Sequence, residues 1–352
     1  MKITELQIRN FTVFEQVDLR FAAGINVLIG ENGTGKSHVL KAIYTLLRGV
    51  PRQPVDEEAS AVHQAGEMVR VFMPEEENAA RLVRTGFESN GATLWLRADQ
   101  GQTRCLVDES GALTIAEQTW RSVPEALFLP SRDVLAMYEG FVALYEERKL
   151  SFDQTYRDLC LALQRSELRG EAEREAYELA RPLFDLLGGK VLLRGTRFYI
   201  NFGNGLREAH LVAEGLRKIA TLARLVGHGV LKEGSILLWD EPEAGLNPRF
   251  VRQMADTLHR LAAHGVQIFV ATHDFLLSQE LSLIAEYHKE PAIAMKFFAL
   301  HHTSQVDPVE VEDAESLAEM QHNAILEEYA AHYDREQTLF GRKARGDKAG
   351  ER

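Results

Sequence analysis

Gly30-Glu31-Asn32-Gly33-Thr34-Gly35-Lys36-Ser37 has the G-x-x-x-x-G-K-[ST] spacing of a loop that wraps phosphates. Its glycines let backbone N–H groups turn inward, and a helix beginning at its end adds partial positive charge. Asn32, Gly33, Thr34 and Gly35 are expected to line the cradle, Lys36 to reach the β- and γ-phosphates, and the Ser37 hydroxyl to ligate Mg2+. Much farther along, Ser235-Ile236-Leu237-Leu238-Trp239 is an apolar run that ends in Asp240-Glu241. That pattern places two carboxylates at the C-terminal edge of a buried parallel sheet. A hard cation prefers oxygen ligands, so Asp240 is expected to hold Mg2+, and Glu241 to polarise an attacking water.

The elements around these residues fit the chemistry. Ile25-Asn26-Val27-Leu28-Ile29 is nearly continuously apolar and rich in β-branched residues, which predicts a strand buried on both faces. Val39, Ile43 and Leu46 follow the loop at helical spacing, completing strand, glycine loop and helix. Ahead of it, Ile3, Leu6 and Ile8, then Val17, Leu19 and Phe21, predict a hairpin that leads into the same domain.

Pro51 to Ser60 lacks periodicity and is expected to be an exposed loop. From Glu67 to Ala116, runs such as Met68–Phe72, Thr93–Leu96 and Arg104–Val107 predict an antiparallel lobe. Ala126-Leu127-Phe128-Leu129-Pro130 resembles a core strand, and Val134 to Leu187, with Leu159, Leu163 and Leu168, predicts two or three short helices. Strands are expected at Val191–Leu193 and Arg197–Phe202. A helix opens at Ala213-Glu214-Gly215, with Leu216, Ile219, Ala223 and Val226 on one face and Arg217, Lys218 and Arg224 elsewhere. Asn247-Pro248 caps and starts another helix, and Val266 to Ala271 is a further strand with Thr272-His273-Asp274 at its tip. Met295 to Leu300 gives a last strand. Ala314 to Asp334 predicts an amphipathic helix with Ala318, Ile325, Tyr329 and Tyr333 on a stripe, and the residues beyond, with Arg342, Lys343, Arg345 and Lys348, predict a mobile tail.

The 352 residues carry a formal charge of −12 and 45% hydrophobic residues, enough for a substantial core. Such acidity argues against a surface that grips nucleic acid throughout, and DNA binding does not follow from charge. No apolar run is long enough to span a bilayer and the start lacks a signal-peptide pattern, so no membrane partner and a cytoplasmic location are expected. Cys105 and Cys160 are the only cysteines and are expected to be unpaired thiols. His301, His302, His322 and His332 lack the companion acids of a metal nuclease.

Taken together, Arg9-Asn10-Phe11, the phosphate loop, Asp240-Glu241-Pro242-Glu243, Glu243-Ala244-Gly245-Leu246-Asn247-Pro248 and His273 resemble the ABC-type ATPase heads of the SMC, RecF and OLD group, over most of residues 1 to 305. The resemblance implies an α/β P-loop NTPase of ABC-ATPase type: a mostly parallel core sheet, an antiparallel β lobe and a helical subdomain. It divides a single head into 1–130, a helical subdomain at 131–190, a signature and acid-strand lobe at 191–305, and a C-terminal helix and tail at 306–352.

In that group two heads sandwich two ATP molecules with Mg2+. By resemblance, Glu214 and Gly215 occupy the signature position and meet the γ-phosphate of a partner head, His273 senses that phosphate in its own head, and Arg9 and Asn10 lie beside the nucleotide. Two departures stand out: Ala213 replaces the signature serine, which implies slow or partner-dependent hydrolysis, and the glutamine loop has no clear match, Ser131-Arg132 being the nearest stretch. The implied partners are a second copy or higher homo-oligomer through ATP, and a separate effector, a nuclease or toxin, as in bacterial anti-phage defence ATPases that look like this chain. A RecF-like DNA-maintenance ATPase and a nucleotide-gated scaffold with little hydrolysis remain as alternatives. An in-chain nuclease is disfavoured, because fewer than about 50 residues follow the head, under usual domain size.

Overall fold

A computed structural model describes residues 1–53, 55–84, 91–288, 290, 292–302 and 308–349, with side chains to residue 340. The chain begins with β1 (Ile3–Phe11), β2 (Phe14–Arg20) and β3 (Ile25–Gly30), then α1 (Lys36–Arg48) and α2 (Glu57–Phe72). Strands β4 (Ala92–Ala98), β5 (Gly101–Val107), β6 (Leu113–Trp120) and β7 (Ala126–Leu129) precede helices α3 (Phe141–Glu146), α4 (Gln154–Leu163) and α5 (Glu171–Leu187). Next come β8 (Lys190–Arg194), β9 (Arg197–Asn201), β10 (Leu206–Glu208), α6 (Glu214–Gly227), β11 (Ile236–Asp240), α7 (Pro248–Ala263), β12 (Gln267–Ala271) and α8 (Phe275–Tyr287). Strands β13 (Met295–His302) and β14 (Val309–Ala314) lead to α9 (Ala324–Ala349).

The central sheet runs β14-β13-β3-β12-β11-β7. Every pairing from β13 to β7 is parallel, and only the edge strand β14 is antiparallel. Alternation decides which layer each residue meets. Val27, Trp239 and Val270 join the core cluster built with α6, α7 and α8, whereas Leu28, Leu238 and Phe269 join the one built with α1 and the antiparallel strands. Both faces are thus covered, which is why these strands read as continuous apolar runs. A second sheet, β2-β1-β4-β5-β6, joins the antiparallel strands expected around Thr93–Val107 to the N-terminal hairpin, and β10-β9-β8 forms a third.

Several expectations are corrected. Met68–Phe72 is the last turn of α2 and not a strand, and the loop expected to reach Ser60 gives way to helix at Glu57. Asp56 caps that helix by accepting from Ala59 N, and Ser60, Gln64, Glu67, Met68 and Val71 form its buried stripe. The period of 3.6 over the whole segment overrides the local β-branched run. Residues 85–90 of the expected lobe lie outside the described residues. Leu168 falls between α4 and α5. The C-terminal helix starts at Ala324, ten residues later than expected, because Val309–Ala314 pairs with β13; Ala318 sits in a short 3-10 turn, off the stripe. Helix continues to Ala349 where a mobile tail was expected, and residues 350–352 lie outside the described residues.

Lys218 and Arg224, expected to lie off the apolar stripe of α6, are both buried. Arg224 donates from Nε to the Leu163 carbonyl at 2.7 Å and its guanidinium lies over Phe198 at 5.1 Å. Helical spacing marks which face a residue occupies, but it does not reveal that a lobe packs on that face too.

Candidate nucleotide site

The loop after β3 passes directly into α1. Gly35 stands at the helix N-cap with φ 89°, gives no side-chain cap, and no acid occupies the first turn. The N-terminal end of α1 is therefore open toward an anion. A Cβ at Gly35 would lie 2.5 Å from Phe14 Cζ and 2.6 Å from Val13 Cγ2, so the turn between β1 and β2 closes this side of the loop. Thr34 is buried and donates to the Glu31 carbonyl at 2.9 Å, which braces the loop, while Asn32 and Gly33 form its exposed tip.

Lys36 folds over this loop and donates to the Gly30 and Glu31 carbonyls at 2.7 and 2.8 Å. Burial lowers its pKa, and the charges of Asp240, Glu241, Glu243 and Glu31 oppose that shift. Ser37 Oγ donates to Asp240, 3.0 Å from Oδ1 and 2.8 Å from Oδ2. Burial raises the Asp240 carboxyl above its ordinary range against that hydrogen bond. A hydroxyl and a desolvated carboxylate sharing one point, beside an ammonium held by two carbonyls, is a donor set that fits a hard divalent cation with phosphate oxygens.

Glu241 follows Asp240 with φ 50°, and its N–H donates to the Ala271 carbonyl at 2.8 Å. Its carboxylate is one-third exposed, and His273 Nδ1 lies 3.1 Å from Oε1. Phosphate loop, acid-tipped strand and strand-end histidine thus converge at one sheet edge, because β3, β11 and β12 are parallel neighbours or next neighbours.

The signature stretch opens α6. Ala213 is its N-cap residue without a side-chain cap, and Ala213 and Glu214 are exposed. Gly215 is buried instead: a Cβ there would lie 2.5 Å from the Gly245 carbonyl oxygen of the same chain. Its glycine is required by packing against the loop after β11, a reason that motif spacing does not reveal. Arg9 grips Asp18 across the β1–β2 hairpin at 2.7 Å, and Asn10 takes φ 49° in the same strand. Ser131-Arg132 precedes Asp133, which accepts from Arg217 Nε of α6 at 2.6 Å.

Two residues given no role from sequence also contribute. Glu243 is buried and accepts from Thr272 Oγ1 at 2.7 Å, while Thr272 Oγ1 accepts from Asp274 N at 3.0 Å, so the acid braces the turn that carries His273. Its place in Asp240-Glu241-Pro242-Glu243 was the available signal. Burial raises the Glu243 pKa, against the Thr272 hydrogen bond. Lys218 Nζ donates to the Glu241 carbonyl at 3.1 Å. Among the described residues, no group of three histidines, cysteines or acids is arranged to hold a metal by itself, and no helix is long and apolar enough to cross a membrane.

Comparison with known proteins agrees with this geometry. A family described as "AAA ATPase domain" matches residues 1–84, and one described as "AAA domain, putative AbiEii toxin, Type IV TA system" matches residues 70–278. The DNA replication and repair protein RecF of Pectobacterium atrosepticum is 34% identical over 144 residues, 41% of this chain and 35% of that protein. The chain thus matches about a third of its curated relative's length. A solved SMC head bound to the C-winged helix domain of ScpA aligns with TM-score 0.59 at 15% identity, covering 90% of this chain and 98% of that one. The Pyrococcus furiosus SMC head with an extended coiled coil, bound to the C-terminal domain of ScpA, aligns at TM-score 0.53 and 15% identity, covering 94% and 99%. At such identities the two structures attest the fold alone, a P-loop ABC-ATPase head. With the matched domain spanning more than half its length, this chain belongs to the AAA family described as "AAA domain, putative AbiEii toxin, Type IV TA system".

Proposed function

We propose that the chain binds Mg-ATP at the end of β3 and hydrolyses it, and that ATP joins two copies head to tail to control a separate effector. The observation that carries this reading is the Ser37–Asp240 contact, which brings hydroxyl and carboxylate oxygens to one point beside Lys36. Lys36 exchanges the Gly30 and Glu31 carbonyls for phosphate oxygens, a stronger charge-assisted partner. Ser37 and Asp240 hold Mg2+, which when bound supplies positive charge to the phosphate oxygens. Glu241 accepts the proton of the attacking water, and His273 keeps that carboxylate oriented.

ATP sites of this shape leave the γ-phosphate facing outward, and the exposed N-terminus of a second copy's α6 supplies the missing donors. Ala213 lacks the hydroxyl expected there, which slows turnover. The matched family's name links such domains to toxin–antitoxin systems, which favours a defence role over a housekeeping one. The RecF likeness favours a second reading, DNA maintenance, which predicts ATPase stimulation by DNA.

Light scattering of Glu241→Gln with and without Mg-ATP tests the pairing. The variant is expected to double in mass with Mg-ATP, and Glu241→Gln/Ala213→Asp is expected to stay monomeric. Aspartate caps α6 and preserves the fold while placing a carboxylate against phosphate. Gly215→Asp is unsuitable, because the Gly245 carbonyl occupies the space. A Glu241→Gln protein that remains monomeric with bound ATP rejects pairing.

A further inference from the structure

Lys218 lies one turn into α6, is 4% exposed, and donates its ammonium to the backbone carbonyl of Glu241. Glu241 is a side-chain-bearing residue at φ 50°, a conformation that persists only where its surroundings fix it. Both of its backbone polar groups are tied. The N–H is held by Ala271 of β12 at 2.8 Å, and the carbonyl accepts from Lys218 of α6 at 3.1 Å and from the Ala244 N–H of its own turn at 3.2 Å, so Lys218 is the side chain that ties this turn to α6. With those groups pinned to two different elements, only the side chain is free to turn, and it points where His273 Nδ1 can meet it.

We propose that Lys218 is a positioning residue: its hold on the Glu241 carbonyl fixes the left-handed turn at the end of β11 and so aims the Glu241 carboxylate. The inference rests on the reading of Glu241 as the base. It also gives α6 a physical route to the reacting centre, since a partner engaging exposed Ala213 and Glu214 acts on the helix that carries Lys218. A buried cation is a costly tether, and an apolar residue would fill the position more cheaply. Burial lowers the Lys218 pKa, whereas the charges of Glu214, Glu243, Glu241 and Asp133 oppose that shift and favour the donor form. A lysine that merely balanced those acids would leave the conformation of Glu241 unchanged when replaced, and this difference separates the two roles.

The test uses the full chain with Lys218→Met, Lys218→Arg and wild type, each checked for cooperative melting. ATP dissociation constants, kcat, and amide hydrogen exchange of residues 238–246 without nucleotide are measured. For Lys218→Met the expected result is ATP affinity within about twofold of wild type, kcat lower by about 100-fold, and faster exchange at Glu241 and the residues after it. Lys218→Arg, which keeps a charged donor, is expected to recover most of both; if Lys218→Met fails to fold, Lys218→Gln replaces it in every arm.

Wild-type kcat together with unchanged exchange in Lys218→Met overturns the proposal. So does lost ATP affinity with intact kcat, which would make Lys218 a phosphate contact. If wild type itself does not hydrolyse ATP, the base assignment fails separately, and hydrogen exchange alone decides the tether: faster exchange in the variant supports it, and no difference overturns it.

Discussion

Ser37 Oγ lies within 3.0 Å of both carboxylate oxygens of Asp240, joining residues 203 positions apart in the chain. The contact exists because β3 and β11 flank β12 in a parallel sheet, which brings their C-terminal ends to one edge. If this is where Mg2+ bridges protein and phosphate, Ser37→Ala should bind ATP about equally with and without Mg2+. Calorimetric titration in EDTA and in Mg2+ checks this, wild type being expected to bind more tightly with the metal.

Lys36 now satisfies two loop carbonyls. Lys36→Ala should remain folded yet lose ATP affinity by at least about tenfold, in the range of a lost charge-assisted hydrogen bond. Unchanged affinity in equilibrium dialysis would remove Lys36 from the phosphate site.

Ala213 has the extended backbone of an N-cap residue, φ −56° and ψ 143°, but no side-chain acceptor. Ala213→Ser should stabilise the chain by about 1 kcal/mol by capping α6. If the cap also meets a partner's phosphate, it should raise ATP turnover as well. Thermal melts and steady-state rates separate the effects, and a higher melting temperature with unchanged turnover would confine Ala213 to capping.

Glu243 is a buried carboxylate whose folded-state pKa is raised above the ordinary value near 4.5. The folded state therefore holds its proton more tightly than the unfolded chain, so this group costs stability increasingly as pH rises from 4.5 through its folded value. Glu243→Gln keeps an acceptor for Thr272 and removes the charge. Its melting temperature should exceed wild type at pH 7.5, with the difference shrinking toward pH 4.5; an advantage independent of pH would show that Glu243 carries no buried charge.

The site was legible in sequence where one short motif fixes both residue type and backbone shape. The phosphate loop needs glycines, a lysine and a serine within eight positions, and the strand carrying Asp240 and Glu241 announces itself by being apolar on both faces. The packing around Gly215 and Lys218 was not legible, for the opposite reason. Their surroundings, the Gly245 carbonyl and the Glu241 carbonyl, come from a loop more than twenty residues away, and helical spacing records nothing of such neighbours. Met68–Phe72 shows the same limit at the level of fold, because a five-residue run of strand-forming residues is settled by the cap at Asp56 and by packing along α2.

Steady-state Mg-ATP hydrolysis by wild type and Glu241→Gln, with bound ATP quantified in the same preparations, tests the central claim most directly. Turnover by wild type that falls by at least about 100-fold in the variant, with ATP still bound, is the predicted result. Equal turnover in the two proteins would contradict it.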